Sequence, residues 1–153
     1  MKQVQIVASR FALLPVRLVA GAGFLAHGWA KFHRGPEKFA VLLHTVGVPF
    51  PSLMAWVGTL TEIAGGIALL LGVAVALASL PLIATMLVAM FTIHIHYGFS
   101  AVNTIGITPA GPQFGPPGYE ISLIYIGALI ALGCSKPTPF SIDELLADRR
   151  SVL

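Results

Sequence analysis

A single carboxylate stands inside one of the most apolar stretches of the chain. Between Leu53 and Leu80, Glu62 is the one ionisable side chain. The stretch is long enough to cross a bilayer, which requires about 20 apolar residues. Because a charged group at mid-membrane costs roughly 2.5–3.5 kcal/mol on insertion scales, Glu62 must be paired, protonated or turned toward a wet cavity. It is therefore the first candidate for proton transfer or for a buried ion pair.

Basic partners for Glu62 lie in the neighbouring apolar blocks. Helix side chains lean toward the N-terminus of their own helix, so Lys31 and Glu62 lean toward each other on antiparallel helices, and Arg17 is the poorer match. His94 and Glu120 are expected in the same half of the membrane. We predict a pocket there, with Glu62, Lys31 and His94 as the catalytic candidates. The residues predicted to hold a cofactor are Arg17, Trp29, His96, Tyr97 and Glu120.

Each candidate also has a purely structural interpretation. Lys31 could extend its ammonium group to the interface, and Glu62 could simply lock two helices together. The aromatic residues are typical of the belts at membrane surfaces. His94 and His96, two residues apart on a helix, are poor joint ligands for one metal ion. We therefore predict no metal site. The sequence does not decide whether His27, His94 or His96 binds haem or a metal ion.

Apolar segments must position these groups. Of the 153 residues, 56% are hydrophobic and 10% are charged, whereas soluble domains carry about 25% charged residues. Four apolar blocks of near-spanning length cover residues 11–32, 53–74, 79–98 and 119–135. We predict a single all-α membrane domain over residues 1–153: an integral four-helix bundle in the lipid bilayer, with a polar tail at 136–153.

One face of the first block combines small residues with a cation near each end, and we assign it to the bundle interior. Its members are Arg17, Gly21, Phe24, Gly28 and Lys31. After this block, residues 37–46 form an amphipathic segment too short to span. We expect it to be an interfacial or re-entrant element.

Later segments carry turn and capping signals. Ser79 and Pro81 are predicted to begin the third helix, as its N-cap and early-turn proline. The uncharged, Gly/Pro-rich residues 98–118 predict an ordered or partly inserted loop that could cover the pocket. In the tail, Ser141 and Glu144 have the spacing of a capping box, which predicts a short helix.

Charge and cysteine content narrow the classes of function. The nine Lys and Arg residues are dispersed, so the net charge of +3 is no evidence for a nucleic-acid partner. The single cysteine, Cys134, excludes an internal disulfide and any CxxC motif.

No cleavable signal is recognised, and the first helix is expected to stay in the protein. The positive-inside rule favours cytoplasmic termini; the cations on that side would be Lys2, Arg10, Lys136, Arg149 and Arg150.

The order of these features resembles the DoxX family over about residues 16–145. The resemblance rests on Arg17 and Lys31 around the first helix, on the stripe Glu62-x-x-Gly65-Gly66, and on Glu120 at the start of the last helix. Further matching positions are Gly47, Pro49, Pro51, Gly72, Ser141 and Asp143. The resemblance implies a four-helix protein of the bacterial inner membrane that is linked to electron transfer, since some members belong to a thiosulfate:quinone oxidoreductase.

The first functional hypothesis is therefore a membrane redox protein with quinone as its cofactor. Lys31 or His94 could bind a quinone oxygen, and Glu62 could relay protons. The sequence has no CxxC motif and no dinucleotide fingerprint, so nothing in it would supply electrons to the quinone. A redox partner protein would have to donate them, and the chain would be a subunit of an oxidoreductase system. The alternatives are a non-catalytic scaffold or partner-binding subunit and a small-molecule transporter. The glycine stripes would also allow helices of two copies of the chain to pack together, so the sequence is compatible with a homo-oligomer.

Overall fold

Six α-helices and one β-hairpin make up residues 11–150, the part of the chain that the computed structural model describes. The helices are α1 (Leu14–Arg34), α2 (Pro36–Thr45), α3 (Pro51–Leu71), α4 (Val75–Thr92), α5 (Glu120–Gly133) and α6 (Ile142–Arg150). A 3-10 turn, His94–Tyr97, follows α4, and the hairpin strands are β1 (Thr104–Thr108) and β2 (Gly111–Phe114). The predicted apolar blocks thus correspond to α1, α3, α4 and α5.

Two of these helices, α3 and α4, are long and apolar enough to cross a membrane. Only 33% of the most apolar window of α3 and 17% of that of α4 are buried, whereas a core helix of a soluble protein would be mostly buried. Large apolar side chains therefore cover the outside of both helices, and such a surface suits contact with lipid. The shorter α5 is also apolar.

Glycines bring α1 and α3 into backbone contact. A Cβ atom at Gly66 would lie 2.6 Å from the Leu25 amide nitrogen, and one at Gly28 would lie 2.8 Å from the Ile63 amide nitrogen. Neither position has room for a side chain, as in other small-residue helix contacts. The predicted interior face of α1 is confirmed for its first four members, which are buried: Arg17, Gly21, Phe24 and Gly28.

The remaining long helices complete one apolar core. Contacts join α1 to α3 and α5, and join α4 to α3 and α5. The core cluster consists of Ala20, Phe24, Leu69, Leu82, Leu129 and Leu132. The predicted short segment after α1 is confirmed as the ten-residue α2, which buries Ala40 and Leu43 against Ala55 of α3.

The all-α prediction misses the hairpin. Strands β1 and β2 pair antiparallel, with Thr104 opposite Phe114 and Thr108 opposite Gly111. The turn residue Gly111 has a φ of +119°, a conformation that glycine adopts without strain. Every residue of β1 except Gly106 is β-branched, which favours a strand, but the Gly/Pro-rich composition predicts only a loop here. Residues 98–118 are ordered, as predicted, in the form of a hairpin and its flanks.

The predicted start of the third membrane helix is wrong. Helix α4 begins at Val75, so Pro81 lies inside it, and the Ser79 hydroxyl donates to the Val75 carbonyl at 2.8 Å instead of capping the helix. The cap comes from the distant Asp143, whose carboxylate accepts the Ala74 and Val75 amides. At its other end α4 stops at Thr92, and both predicted histidines lie on the 3-10 turn.

Candidate functional site

The contact expected between α1 and α3 is present. Lys31 Nζ lies 2.5 Å and 2.7 Å from the two carboxylate oxygens of Glu62. Glu62 is 6% exposed, whereas the Lys31 side chain is 27% exposed. Such a two-oxygen, charge-assisted contact is among the stronger polar interactions in proteins. The pairing of Lys31 with Glu62 is confirmed, and the catalytic role of either residue stays a prediction.

Three helices position this ion pair. Gly28 lies one turn before Lys31, and its missing side chain lets α3 approach so closely that a Cβ there would lie 3.0 Å from Glu62 Cβ. From α2, the ring of Phe39 lies 4.6 Å from Lys31 Nζ, a cation–π contact. Phe39 also lies against Gly58 of α3. The ammonium group is thus held between a carboxylate and an aromatic face.

Aromatic side chains form a strip on the outside of α1 and α3, and two of them flank Lys31 in the sequence of α1. Trp29 stacks on Phe32 with ring centroids 5.9 Å apart, and Phe32 meets Trp56 edge-on at 6.3 Å. All three rings are exposed. This aromatic strip (Trp29, Phe32 and Trp56) has the amphipathic character of a membrane-interface belt.

His94 and Glu120 belong to a different cluster, at the base of the hairpin. His94 Nδ1 donates to the Pro117 carbonyl at 3.0 Å, and a Glu120 carboxylate oxygen accepts the Ala101 amide at 2.7 Å. Tyr119 packs edge-on against Phe99. These contacts hold both ends of residues 98–118 together.

The residues predicted to share one pocket belong to two hydrogen-bonded clusters, and the shared pocket stays a prediction. Within residues 11–150, the hydrogen bonds and ion pairs join Lys31 to Glu62 and join His94 and Glu120 to the hairpin base, without linking the two clusters. His96 and Tyr97 lie exposed on the 3-10 turn. Cofactor binding by Trp29, His96, Tyr97 or Glu120 stays a prediction.

Arg17 lies in a third cluster, which we call the tail clasp (Arg17, Thr138, Phe140, Ser141 and Asp143). The Arg17 side chain is 1% exposed. Its Nη1 donates to Thr138 Oγ1 at 2.6 Å, and its Nη2 donates to the Phe140 carbonyl at 2.9 Å. The start of α1 is thereby joined to the segment that follows α5.

The same clasp holds the connection between α3 and α4. The Asp143 amide donates to the Gly72 carbonyl at 2.9 Å, while the Asp143 carboxylate accepts from Ala74 and Val75. Ser141 caps α6 as predicted, because its Oγ accepts the Glu144 amide at 3.1 Å. The Glu144 carboxylate accepts the amide of Phe140 at 3.1 Å, one residue before the cap. The family resemblance pointed to Ser141 and Asp143, whereas sequence reasoning offered no partner for Arg17.

Metal-ligating side chains are scattered in the part of the chain that is described. No group of three or more His, Cys, Asp or Glu side chains lies close enough there to hold a metal ion.

Comparison with known proteins gives one match. A family model described as DoxX matches residues 12–95, more than half of the chain. The matched region contains Arg17, Lys31 and Glu62, and it ends before the hairpin and the tail. Neither the curated proteins nor the solved structures provide a match.

Proposed function

The chain belongs to the DoxX family, and from this membership we propose that it is the quinone-binding membrane subunit of an oxidoreductase system in the bacterial inner membrane. A partner protein would supply the electrons, because the sequence contains no CxxC motif and no dinucleotide fingerprint. The observation that carries the proposal is the Lys31–Glu62 pair, a buried carboxylate behind a more exposed ammonium group.

The clasp supports an even number of membrane crossings. Arg17, near the start of α1, binds Thr138 and Phe140 after α5, so the start of α1 and the segment that follows α5 lie at the same end of the helices. Helices α1, α3, α4 and α5 would then be the four crossings of a bundle.

Charge supports cytoplasmic termini. Lys136 and Arg149 lie with Arg17 on the side of the clasp, whereas Lys31, Arg34 and Lys38 lie toward the opposite end, and the positive-inside rule counts cations close to the helix ends. Lys2 and Arg10, on which the sequence prediction also relied, lie outside the described residues.

The unequal exposure of the pair suits quinone binding. An ammonium group has three N–H donors. Lys31 donates to the two carboxylate oxygens of Glu62, which leaves one N–H for a quinone carbonyl oxygen. Reduction of a quinone to a quinol takes two electrons, here from the partner, and two protons. Both protons would come from the aqueous phase. Lys31 would bind one carbonyl oxygen and pass it a proton, and Glu62, after taking up a proton from water, would return one to the Lys31 amine; the second carbonyl oxygen would take its proton from water directly.

The aromatic strip supplies an apolar approach to Lys31. A quinone ring that arrives from the bilayer would meet Trp29, Phe32 and Trp56 at the outer end of α1 and α3. Flat aromatic faces stack well against a quinone ring. Phe39, which already lies against the Lys31 ammonium group, would form the inner wall of the site.

Quinone binding tests this proposal. We expect ubiquinone or menaquinone to raise the Tm of the wild-type protein in detergent, and not to raise that of Lys31→Met. Lys38→Met is the matched control, since Lys38 is an exposed lysine of the neighbouring α2, and it should respond like the wild type. Equal shifts in Lys31→Met and Lys38→Met would refute the proposed site.

A non-catalytic scaffold is the second candidate. Its supporting observation is that the ion pair lies at a close approach of α1 and α3, beside Gly28. A scaffold would show no quinone-dependent change in Tm. It would also keep its cellular role in the double variant Lys31→Met/Glu62→Gln, which removes both charges.

A further inference from the structure

A second site lies far from the Lys31–Glu62 pair, beside the tail clasp. There a cavity of about 250 Å³ opens where α4 begins and α5 ends. Its polar lining consists of Arg17, Ser135, Lys136, Thr138 and Asp143. The cavity thus lies at the level where the helices would leave the membrane on the side of the termini.

Two basic side chains border the cavity. Arg17 is almost fully buried, yet its Nε atom has no hydrogen-bond partner among the described residues. Lys136 adds a second cation at the exposed rim. Two carboxylates face the same cations: that of Asp143, which accepts the Ala74 and Val75 amides, and that of Glu144, whose charge also acts on Arg17 and which accepts the Phe140 amide. The N-terminus of α4 contributes a positive dipole end to the same wall.

An apolar groove continues from this cavity between α4 and α5. The groove has a volume of about 460 Å³, and Ala76 lines both spaces. Its walls are leucine and isoleucine side chains such as Leu80, Ile83 and Leu129. A charged cavity that opens into an apolar groove matches an amphiphile with an anionic head group and a hydrocarbon chain.

We propose that the cavity and groove bind one anionic phospholipid of the surrounding bilayer. The phosphate would lie against Lys136 and Arg17, and one acyl chain would lie between α4 and α5. The cytoplasmic leaflet is the leaflet rich in anionic lipid, which agrees with the cytoplasmic side proposed for the clasp. A free phosphate ion would leave the groove unfilled. The inference requires only that the chain lies in a bilayer. It does not depend on quinone binding.

The test uses the whole purified protein in dodecyl maltoside micelles, with three probes: dioleoyl phosphatidylglycerol, dioleoyl phosphatidylcholine and inorganic phosphate. We expect native mass spectrometry to show one phosphatidylglycerol retained per chain and its addition to raise the Tm. Cys134, the only cysteine, lines the groove, so bound lipid should also slow its alkylation by N-ethylmaleimide several-fold. Phosphatidylcholine should have a weaker effect, and inorganic phosphate none.

Two variants separate head-group binding from chain binding. Lys136→Gln should weaken phosphatidylglycerol binding about fivefold, the loss typical of one cation near a lipid surface, whereas the exposed-lysine control Lys38→Gln should bind like the wild type. Gly133→Leu should occupy the groove and abolish protection of Cys134, because a Cβ at Gly133 meets only ordinary contacts.

Three results would overturn the inference. These are equal retention of phosphatidylglycerol and phosphatidylcholine, a Tm shift produced by inorganic phosphate alone, and identical affinities for Lys136→Gln and Lys38→Gln. None of them bears on the Lys31 quinone test, which uses a different ligand and a different end of the helices.

Discussion

Removing either partner of the Lys31–Glu62 pair should destabilise the protein, and the two losses should be unequal. In Lys31→Met, the Glu62 carboxylate, which is 6% exposed, stays buried without its cation. Breaking a buried pair in this way typically costs about 3–5 kcal/mol. In Glu62→Gln, the remaining Lys31 side chain is 27% exposed and can extend toward water. We expect that loss to be smaller, about 1–2 kcal/mol, because the glutamine oxygen still accepts a hydrogen bond.

The double variant Lys31→Met/Glu62→Gln completes a thermodynamic cycle. It contains no unpaired buried charge, so it should be more stable than the sum of the single losses predicts, by about 1–3 kcal/mol. Reversible unfolding in mixed dodecyl maltoside and dodecyl sulfate micelles, followed by the fluorescence of Trp29 and Trp56, would measure each free energy. Lys38→Met controls for the loss of an exposed lysine and should change the stability by less than about 0.5 kcal/mol.

The order of the two single losses is the decisive result. If Glu62→Gln cost as much as Lys31→Met or more, the argument from unequal burial would be refuted. Additive losses would show that the contact in the structure contributes no coupling energy.

Three further predictions concern the helix contacts and the tail. Gly66→Ala should lower the free energy of unfolding by at least about 2 kcal/mol, because the added Cβ would lie 2.6 Å from the Leu25 amide nitrogen. Gly127→Ala is the control, since a Cβ at Gly127 meets nothing within 4 Å. In the same unfolding assay it should be neutral or stabilise the protein by up to about 1 kcal/mol. Asp143→Ala should cost about 1–2 kcal/mol, as loss of an N-cap does, and should speed hydrogen exchange at the Val75 amide; unchanged exchange there would contradict the cap. Glu120→Ala should speed chymotrypsin cleavage within residues 98–118 through loss of the Ala101 contact, whereas Glu120→Gln, which retains an acceptor oxygen, should stay close to the wild-type rate.

Local features of the sequence were sufficient to predict most of the helices and the key contact. Helical periodicity identified the buried face of α1, and the spacing of Ser141 and Glu144 identified the start of α6. The lean of side chains toward helix N-termini selected Lys31 over Arg17 as the partner of Glu62. These predictions succeeded because hydropathy, helix period and capping act between residues that are close in the chain or face each other across neighbouring antiparallel helices.

Long-range contacts decided the rest. Helix α4 begins at Val75 because Asp143, far along the chain, supplies its cap, and Ser79, the better local signal, was therefore misleading. His94 and Glu120 carry groups suited to chemistry, but the folded chain uses them to hold the hairpin base.

The sequence by itself determined that this is an apolar helical chain with a carboxylate that must be paired, protonated or turned toward water, since an isolated charge deep in lipid costs several kcal/mol. Only the tertiary structure decided the partners of Arg17, Thr138 and Asp143, because these residues meet through packing of segments that are distant in the chain. The cavity beside the clasp, with Arg17 and Lys136 in its lining, exists solely as a result of that packing.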